Sequence, residues 1–373
     1  MNHKIGILTG GGDCAGLNSA IKWVTKTALD TNLTAGKGLN VEVVGIRDGW
    51  KGLTEVDPND PASLEKWVQP LDELIVRTWD RYGGTNLGTS RTNPFNPKND
   101  QSQKCADNIK ALGLTSIVAI GGEDTLSVAH KLHNMGQKVV GIPKTIDRDL
   151  NATDYTLGYD TALNVITEEV DRLRTTAGSH NRLFVVEVMG RHAGWLALEG
   201  GQAAGAHIIL IPEHDFDVDK VASLLQRRRS FGVRYDIVVV SEGAKAKGRE
   251  EVYISDKADG FGHKVLGGIG NSLAKELEKI TGFETRHVVL SHIQRGGSPS
   301  ARDRLMGRYF GIAAVDLILE EDFGRMVAYR NGEISSVPLK QAIEKLYVVD
   351  VNKYYDVERL NGIRSSLAPK SGA

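Results

Sequence analysis

Pro143-Lys144-Thr145-Ile146-Asp147-Arg148-Asp149 packs two carboxylates, two cations and a hydroxyl into one short stretch behind an apolar run. In an extended chain, side chains two apart share a face, so Thr145, Asp147 and Asp149 are expected to point one way. An aspartate of ordinary pKa, about 4, is ionised at neutral pH and can take the proton of a hydroxyl whose oxygen attacks an electrophile. Asp147 is therefore the expected general base. Acids at this spacing also cap turns, and in isolation the stretch admits that role too. Upstream, Gly121-Gly122-Glu123-Asp124-Thr125 sets two adjacent carboxylates and a hydroxyl after another apolar run. Neighbouring carboxylates repel unless a cation sits near them. Mg²⁺, which accepts one or two carboxylates plus phosphate oxygens, is the expected cofactor. The alternative is that both acids only charge the first turn of a helix, where its dipole favours them.

Gly10-Gly11-Gly12-Asp13-Cys14-Ala15-Gly16 brings flexible backbone to a helix N-terminus, a ready phosphate site. Alone it fits three readings equally: a phosphoryl-donor loop, a relaxed dinucleotide loop and a plain tight turn. The acidic ribose partner of the dinucleotide reading is not convincingly present, because Glu42 falls late, inside the apolar run 41–46. Two later stretches, Met189-Gly190-Arg191-His192-Ala193-Gly194 and His292-Ile293-Gln294-Arg295-Gly296-Gly297, put cationic and hydrogen-bonding side chains where a sugar phosphate would need them.

These loops need elements to hold them. Apolar runs at 5–8, 117–120, 139–142, 183–188, 208–211 and 237–240 read as strands, and Leu17, Ile21, Val24 and Ala28 recur at helical spacing. Strands alternating with helices predict an α/β chain of parallel sheets covered on both faces, with ligands beyond the carboxyl ends of the strands. At 373 residues two domains are expected, on a prior of about 100–200 residues each. Lys and Arg number 46 against 47 Asp and Glu, so no global field draws the chain to nucleic acid or a membrane surface. Two distant cysteines, Cys14 and Cys105, and no long apolar stretch predict a reduced, cytoplasmic setting without a membrane span. Gly36-Lys37-Gly38 reads as a loop tip and residues 369–373 as a loose tail.

Taken together, Gly-Gly-Asp at 11–13, Gly-Gly-Glu-Asp-Thr at 121–125, Pro-Lys-Thr-Ile-Asp-x-Asp at 143–149, Met189-Gly190-Arg191, Ser241-Glu242-Gly243 and His-Ile-Gln-Arg-Gly-Gly-Ser-Pro at 292–299 resemble the phosphofructokinase family in order and approximate spacing. The resemblance runs from about Lys4 into the 340s. It implies two doubly wound, mostly parallel-sheet domains with the active site in the cleft between them. The larger donor and metal domain would take 1–156 and 294–341, the smaller sugar-phosphate domain 157–293 and 342–373. By the same resemblance Gly12, Arg91 and Thr125 contact the phosphoryl donor, Glu123 holds Mg²⁺ and Asp147 is the base. Thr145, Asp149, Met189, Gly190, Arg191 and Glu242 would contact fructose 6-phosphate, with His292 and Arg295 on its 6-phosphate side. Arg182 and Arg286 would reach the sugar phosphate across a subunit interface, which implies a homodimer or homotetramer with shared sites.

ATP-dependent members resemble one another in having glycine where Asp124 stands and commonly glycine where Lys144 stands. A carboxylate at 124 would crowd and repel a nucleotide's inner phosphate, while an ammonium at 144 can pair with pyrophosphate. The pair resembles the pyrophosphate-dependent branch, so pyrophosphate is the expected donor and the reaction is expected to be reversible. An ATP-dependent phosphofructokinase is the alternative, and a non-catalytic sugar-phosphate sensor is the alternative of another class. Arg148 departs from the asparagine usual in the family. Three readings stay open for it: a charge that lowers the Asp147 pKa, a phosphate ligand, or a side chain turned to solvent.

Overall fold

In the computed structural model, which describes residues 2–30, 40–258, 261–262 and 264–363, the apolar runs become two sheets. The larger contains β1 (Asn2–Thr9), β2 (Asn40–Ile46), β3 (Val68–Leu71), β4 (Ser116–Gly121) and β5 (Val139–Pro143). The smaller contains β6 (Leu183–Val188), β7 (Ile208–Leu210), β8 (Asp236–Ser241) and β9 (Thr285–Val289), after which β10 (Arg325–Arg330) and β11 (Glu333–Pro338) return to the larger sheet. The orders are β11-β10-β5-β4-β1-β2-β3 and β9-β6-β8-β7. All pairs are parallel except β2 with β3 and β10 with β11 at the edges. The expected α/β architecture of mostly parallel sheets is found.

Every residue of β4, β5, β6 and β8 is buried. That is why these strands read as mostly apolar runs rather than as alternation, with Glu187 in β6 and Asp236 at the start of β8 as buried exceptions. Helix α1 (Leu17–Ala28) buries Leu17, Ile21, Val24 and Ala28, the stripe its spacing predicted. It lies against α4 (Ala301–Leu319), where Gly307 and Gly311 are one turn apart; a Cβ at these positions would meet the Ser19 and Trp23 Cβ atoms at 2.7 and 2.8 Å. Glycine is required there so that the two backbones can touch. The other named helices are α2 (Glu123–Asn134), which follows β4, and α3 (Tyr159–His180), which precedes β6. Cys14 and Cys105 are free and buried, and burial pushes both thiols up to about 12. Among the described residues no helix is long and apolar enough to cross a membrane. The expected loop tip at 36–38 and the tail at 369–373 lie outside the described residues.

Asp303 on α4 fixes the start of α3 from below. Fully buried, it accepts hydrogen bonds from the Tyr155 hydroxyl (2.8 Å), the Gly158 amide (2.7 Å), the Thr161 amide (2.9 Å) and the Thr161 hydroxyl (2.5 Å). Its carboxylate answers the unpaired N–H groups and positive dipole end of a 22-residue helix. Removing one member of a buried network strands the others, so Asp303→Ala is expected to lower the unfolding free energy by about 3–5 kcal/mol. Chemical denaturation followed by circular dichroism measures this.

Candidate active site

Six strands end at one place. The loops after β1, β4 and β5 from the larger sheet and after β6, β8 and β9 from the smaller line a cleft of about 430 Å³. Gly11 and Gly12 come from the first loop, Gly122 to Thr125 from the second, and Lys144, Thr145, Asp147 and Asp149 from the third. Met189, Arg191 and His192 face them with Glu242 and Arg295, and Arg91 also lines the space. Open α/β sheets bind ligands at such carboxyl ends, because there the helix N-termini and loop amides converge.

The glycine loop is shaped by two cations. Lys144, only 3% exposed, donates from Nζ to the Gly12 carbonyl at 2.6 Å. Arg295 lies against the same residue, where a Cβ would come within 2.3 Å of its Nη1, and it donates to the Asp13 carbonyl at 3.2 Å. Glycine at 12 is thus needed for a guanidinium to approach the loop. Gly10 and Gly121 in turn leave room for the buried Thr125 side chain.

Burial sets the protonation of the cleft. Lys144 is pulled down to about 8, chiefly by desolvation, against the attraction of the Asp13 and Asp149 carboxylates. Asp147 is raised by desolvation against the opposing pull of Arg295, Arg191, His192 and Lys144, and its buried Oδ1 accepts no hydrogen bond. Asp149 is pushed up to about 7 by burial and then by Asp147, and Glu242 up to about 7 for the same two reasons. A buried carboxylate with a raised pKa and an unused oxygen is a stronger base than an exposed one.

The expected extended third loop is not found. A turn at Ile146 and Asp147 follows β5, and Arg148 takes a left-handed conformation, φ 53°. Thr145, Asp147 and Asp149 nevertheless all line the cleft, brought together by the turn rather than by strand alternation. Arg148 turns away from them, but not to solvent: its Nη1 donates to Glu199 Oε1 at 2.7 Å.

Gly190, His292, Arg182 and Arg286 do not line the cleft. Gly190, at φ 129°, serves through its backbone, its carbonyl accepting from the Ser241 hydroxyl at 2.6 Å. His292 is exposed and its ring lies 2.9 Å from the Ser291 hydroxyl. Arg182 and Arg286 both pair with Glu284, at 2.7 and 2.5 Å, at the amino ends of β6 and β9. The strand lengths put Arg182 about 20 Å and Arg286 about 10 Å from the carboxyl ends. Sequence reasoning missed His192, although its motif was quoted, and a strap formed by Ile343, Glu344, Lys345 and Leu346. The strap has no glycine and no charge pattern to mark it.

Buried acids and cations gathered at the carboxyl ends of two α/β sheets are an arrangement suited to a phosphoryl-transfer enzyme. The chain belongs to the phosphofructokinase family, whose model matches residues 4–318. It is 48% identical to the pyrophosphate--fructose 6-phosphate 1-phosphotransferase of Streptomyces coelicolor, over 95% of this chain and 98% of that one. It is also 43% identical to ATP-dependent 6-phosphofructokinase 3 of the same organism, over 95% and 99%. The solved structure of a pyrophosphate-dependent phosphofructokinase from Marinobacter aquaeolei, at 22% identity, has a TM-score of 0.78 and covers 97% of this chain and 89% of that one, a likeness of fold.

Proposed function

We propose that this chain moves a phosphoryl group from pyrophosphate to the 1-hydroxyl of fructose 6-phosphate, giving fructose 1,6-bisphosphate, in a reversible step of glycolysis and gluconeogenesis. The observation that carries this reading is the buried, hydrogen-bond-free Oδ1 of Asp147 in the same cleft as Lys144 and Asp124. Four relatives that are 45–48% identical and named for pyrophosphate support the donor. In this reading residues 1–156 and 294–341 form the donor lobe, and 157–293 with 342–373 the sugar lobe.

Asp147 takes the proton of the 1-hydroxyl as that oxygen approaches phosphorus. Lys144, Arg91 and Thr125, with the amides around Gly12, hold the donor and meet the charge spread over the moving group. Thr145, Asp149, Met189, Arg191 and Glu242 orient the sugar from the cleft wall, with Gly190 holding the turn behind Met189 and Arg191 and with Arg295 toward the 6-phosphate, where His292 would join it by turning in from its exposed position. Arg182 and Arg286 complete a neighbouring subunit's site in a cytoplasmic homodimer or homotetramer. Glu123 and Asp124 offer hard oxygen donors beside the donor loop, which suits Mg²⁺ completed by water and phosphate oxygens, with Glu123 as its ligand. When bound, Mg²⁺ neutralises negative charge on the donor.

Turnover of fructose 6-phosphate with Mg²⁺, compared between pyrophosphate and ATP, tests the reading. Strong preference for pyrophosphate supports it, preference for ATP moves the chain to the second reading, which the 43% identical ATP-dependent relative favours, and turnover with neither removes both. A second expected outcome concerns protons. Asp149 and Glu242, raised to about 7, are partly protonated in the free protein at neutral pH. Sugar hydroxyls that donate to them favour the ionised forms. Fructose 6-phosphate binding at pH 7 should therefore release protons, less so in Glu242→Gln. Calorimetry in buffers of different ionisation enthalpy reads this, and equal release by both proteins contradicts a sugar contact at Glu242.

A further inference from the structure

Arg148 is a bulky residue in the left-handed region, where a Cβ is crowded and asparagine is better tolerated. Its side chain has a built destination. The guanidinium carbon lies 4.9 Å from the Trp195 ring centroid, 5.4 Å from Tyr159 and 5.9 Å from Tyr347. Glu199 accepts a hydrogen bond from Arg148 Nη1 at 2.7 Å through one oxygen and from the Tyr159 hydroxyl at 2.7 Å through the other. Trp195 stacks on Tyr347, with centroids 5.0 Å apart and planes at 14°, and its Nε1 donates to the Tyr347 carbonyl at 3.0 Å. The Tyr347 amide closes the ring by donating to the Asp149 carbonyl at 2.8 Å.

The boxed side chain of Arg148 thus adds to the backbone bonds that join the turn carrying Asp147 and Asp149 to the strap that lines the cleft: the Tyr347 amide on the Asp149 carbonyl, the bridge between Leu150 and Leu346, and the Asn151 amide on the Ala342 carbonyl. Trp195 and Glu199 belong to the segment around a π-helical turn, Leu196–Gly200, between β6 and β7 of the smaller sheet. The turn itself follows β5 of the larger one. We infer that Arg148 is a positioning residue, whose side chain clamps the turn bearing the base to the smaller lobe and to the strap. The inference rests on the phosphoryl-transfer reading above. The action is mechanical. Glu199 matches the charge of Arg148, and the groups that face Asp147 are Arg191, His192, Lys144 and Arg295, with Asp149, Glu242 and, beyond Asp149, Glu123 as the neighbouring acids.

Arg148→Asn keeps a residue suited to the turn and removes the clamp, whereas Arg148→Lys keeps the charge but loses the planar stacking fork. With both substrates saturating, kcat is expected to fall roughly 10- to 100-fold in the asparagine variant and less in the lysine variant, as small misplacements of a base do. The KM for fructose 6-phosphate and the acid limb of the pH profile should stay where they are. Unchanged kcat in Arg148→Asn overturns the inference. So does a displaced acid limb at unchanged plateau, which would make Arg148 an electrostatic modulator of Asp147. Hydrogen exchange supplies a second arm that needs no turnover: the Tyr347 amide should exchange faster in Arg148→Asn while α3 keeps its protection, and unchanged exchange at Tyr347 overturns the clamp. A wild-type protein inert with both donors would fail the phosphoryl-transfer reading, and the exchange arm would then decide the clamp alone. If the asparagine variant does not fold, Arg148→Lys carries both arms.

Discussion

Asp147→Asn is expected to reduce kcat by roughly 100- to 10,000-fold, the usual contribution of a positioned base. The KM for fructose 6-phosphate should change little, because the amide keeps the shape of the carboxylate and the sugar's other contacts are untouched. Two side effects separate this from a folding defect. Desolvation raises the Asp147 pKa, so wild-type kcat should decline with falling pH from a point above the ordinary aspartate range, and the variant should lose that limb. Because burial outweighs the pull of the surrounding cations on Asp147, replacing a carboxylate whose Oδ1 accepts no hydrogen bond by a neutral amide should also leave the melting temperature equal or higher. Steady-state rates across pH, with a thermal melt of each protein, test all three. Near-normal turnover would remove Asp147 from the role of base.

The second large effect is expected at the donor. Lys144→Gly should lower kcat/KM for pyrophosphate by roughly 10- to 100-fold, the worth of one buried charge-assisted contact. The ammonium is desolvated and held on the Gly12 carbonyl, so little reorganisation is needed when a donor oxygen arrives. Combined with Asp124→Gly, which removes the carboxylate expected to repel a nucleotide's inner phosphate, the change should shift the pyrophosphate-to-ATP ratio of kcat/KM by about 100-fold or more. Measuring both donors on both single variants and the double tests the idea. An unaltered ratio in the double variant would mean that the two positions do not choose the donor.

Residues after β1 and β4 were readable because these buried parallel strands are mostly apolar and run into glycines. That is how Gly12, Glu123 and Asp124 could be found, whereas Glu242 was reached only through the family resemblance and Lys144 through the crowding of charge after Pro143. The edges were harder. β3 is Val68-Gln69-Pro70-Leu71, short and interrupted by a proline that only an edge strand tolerates, so it gives almost no period. The third loop was misread because a left-handed arginine is set by tertiary contacts to Glu199, Trp195 and Tyr347, which lie far along the chain. The strap at 343–346 carries no local signal, since its place depends on β11 and on the bond between Tyr347 and Asp149. In the described chain Arg182 and Arg286 reach only Glu284 and the nearby backbone, whereas their expected role belongs to a second subunit.

The order of strands also bears on synthesis. β5 pairs on one side with β4 and on the other with β10, whose residues are made about 180 positions later. A nascent chain can complete the smaller sheet, 183–289, while β5 still presents an open, wholly apolar edge. Until 325–330 emerges, that edge is a template for any extended segment nearby. Chains stalled or truncated between about 290 and 325 should therefore be the species that aggregate and engage chaperones, although their cleft loops from the smaller sheet are already in place.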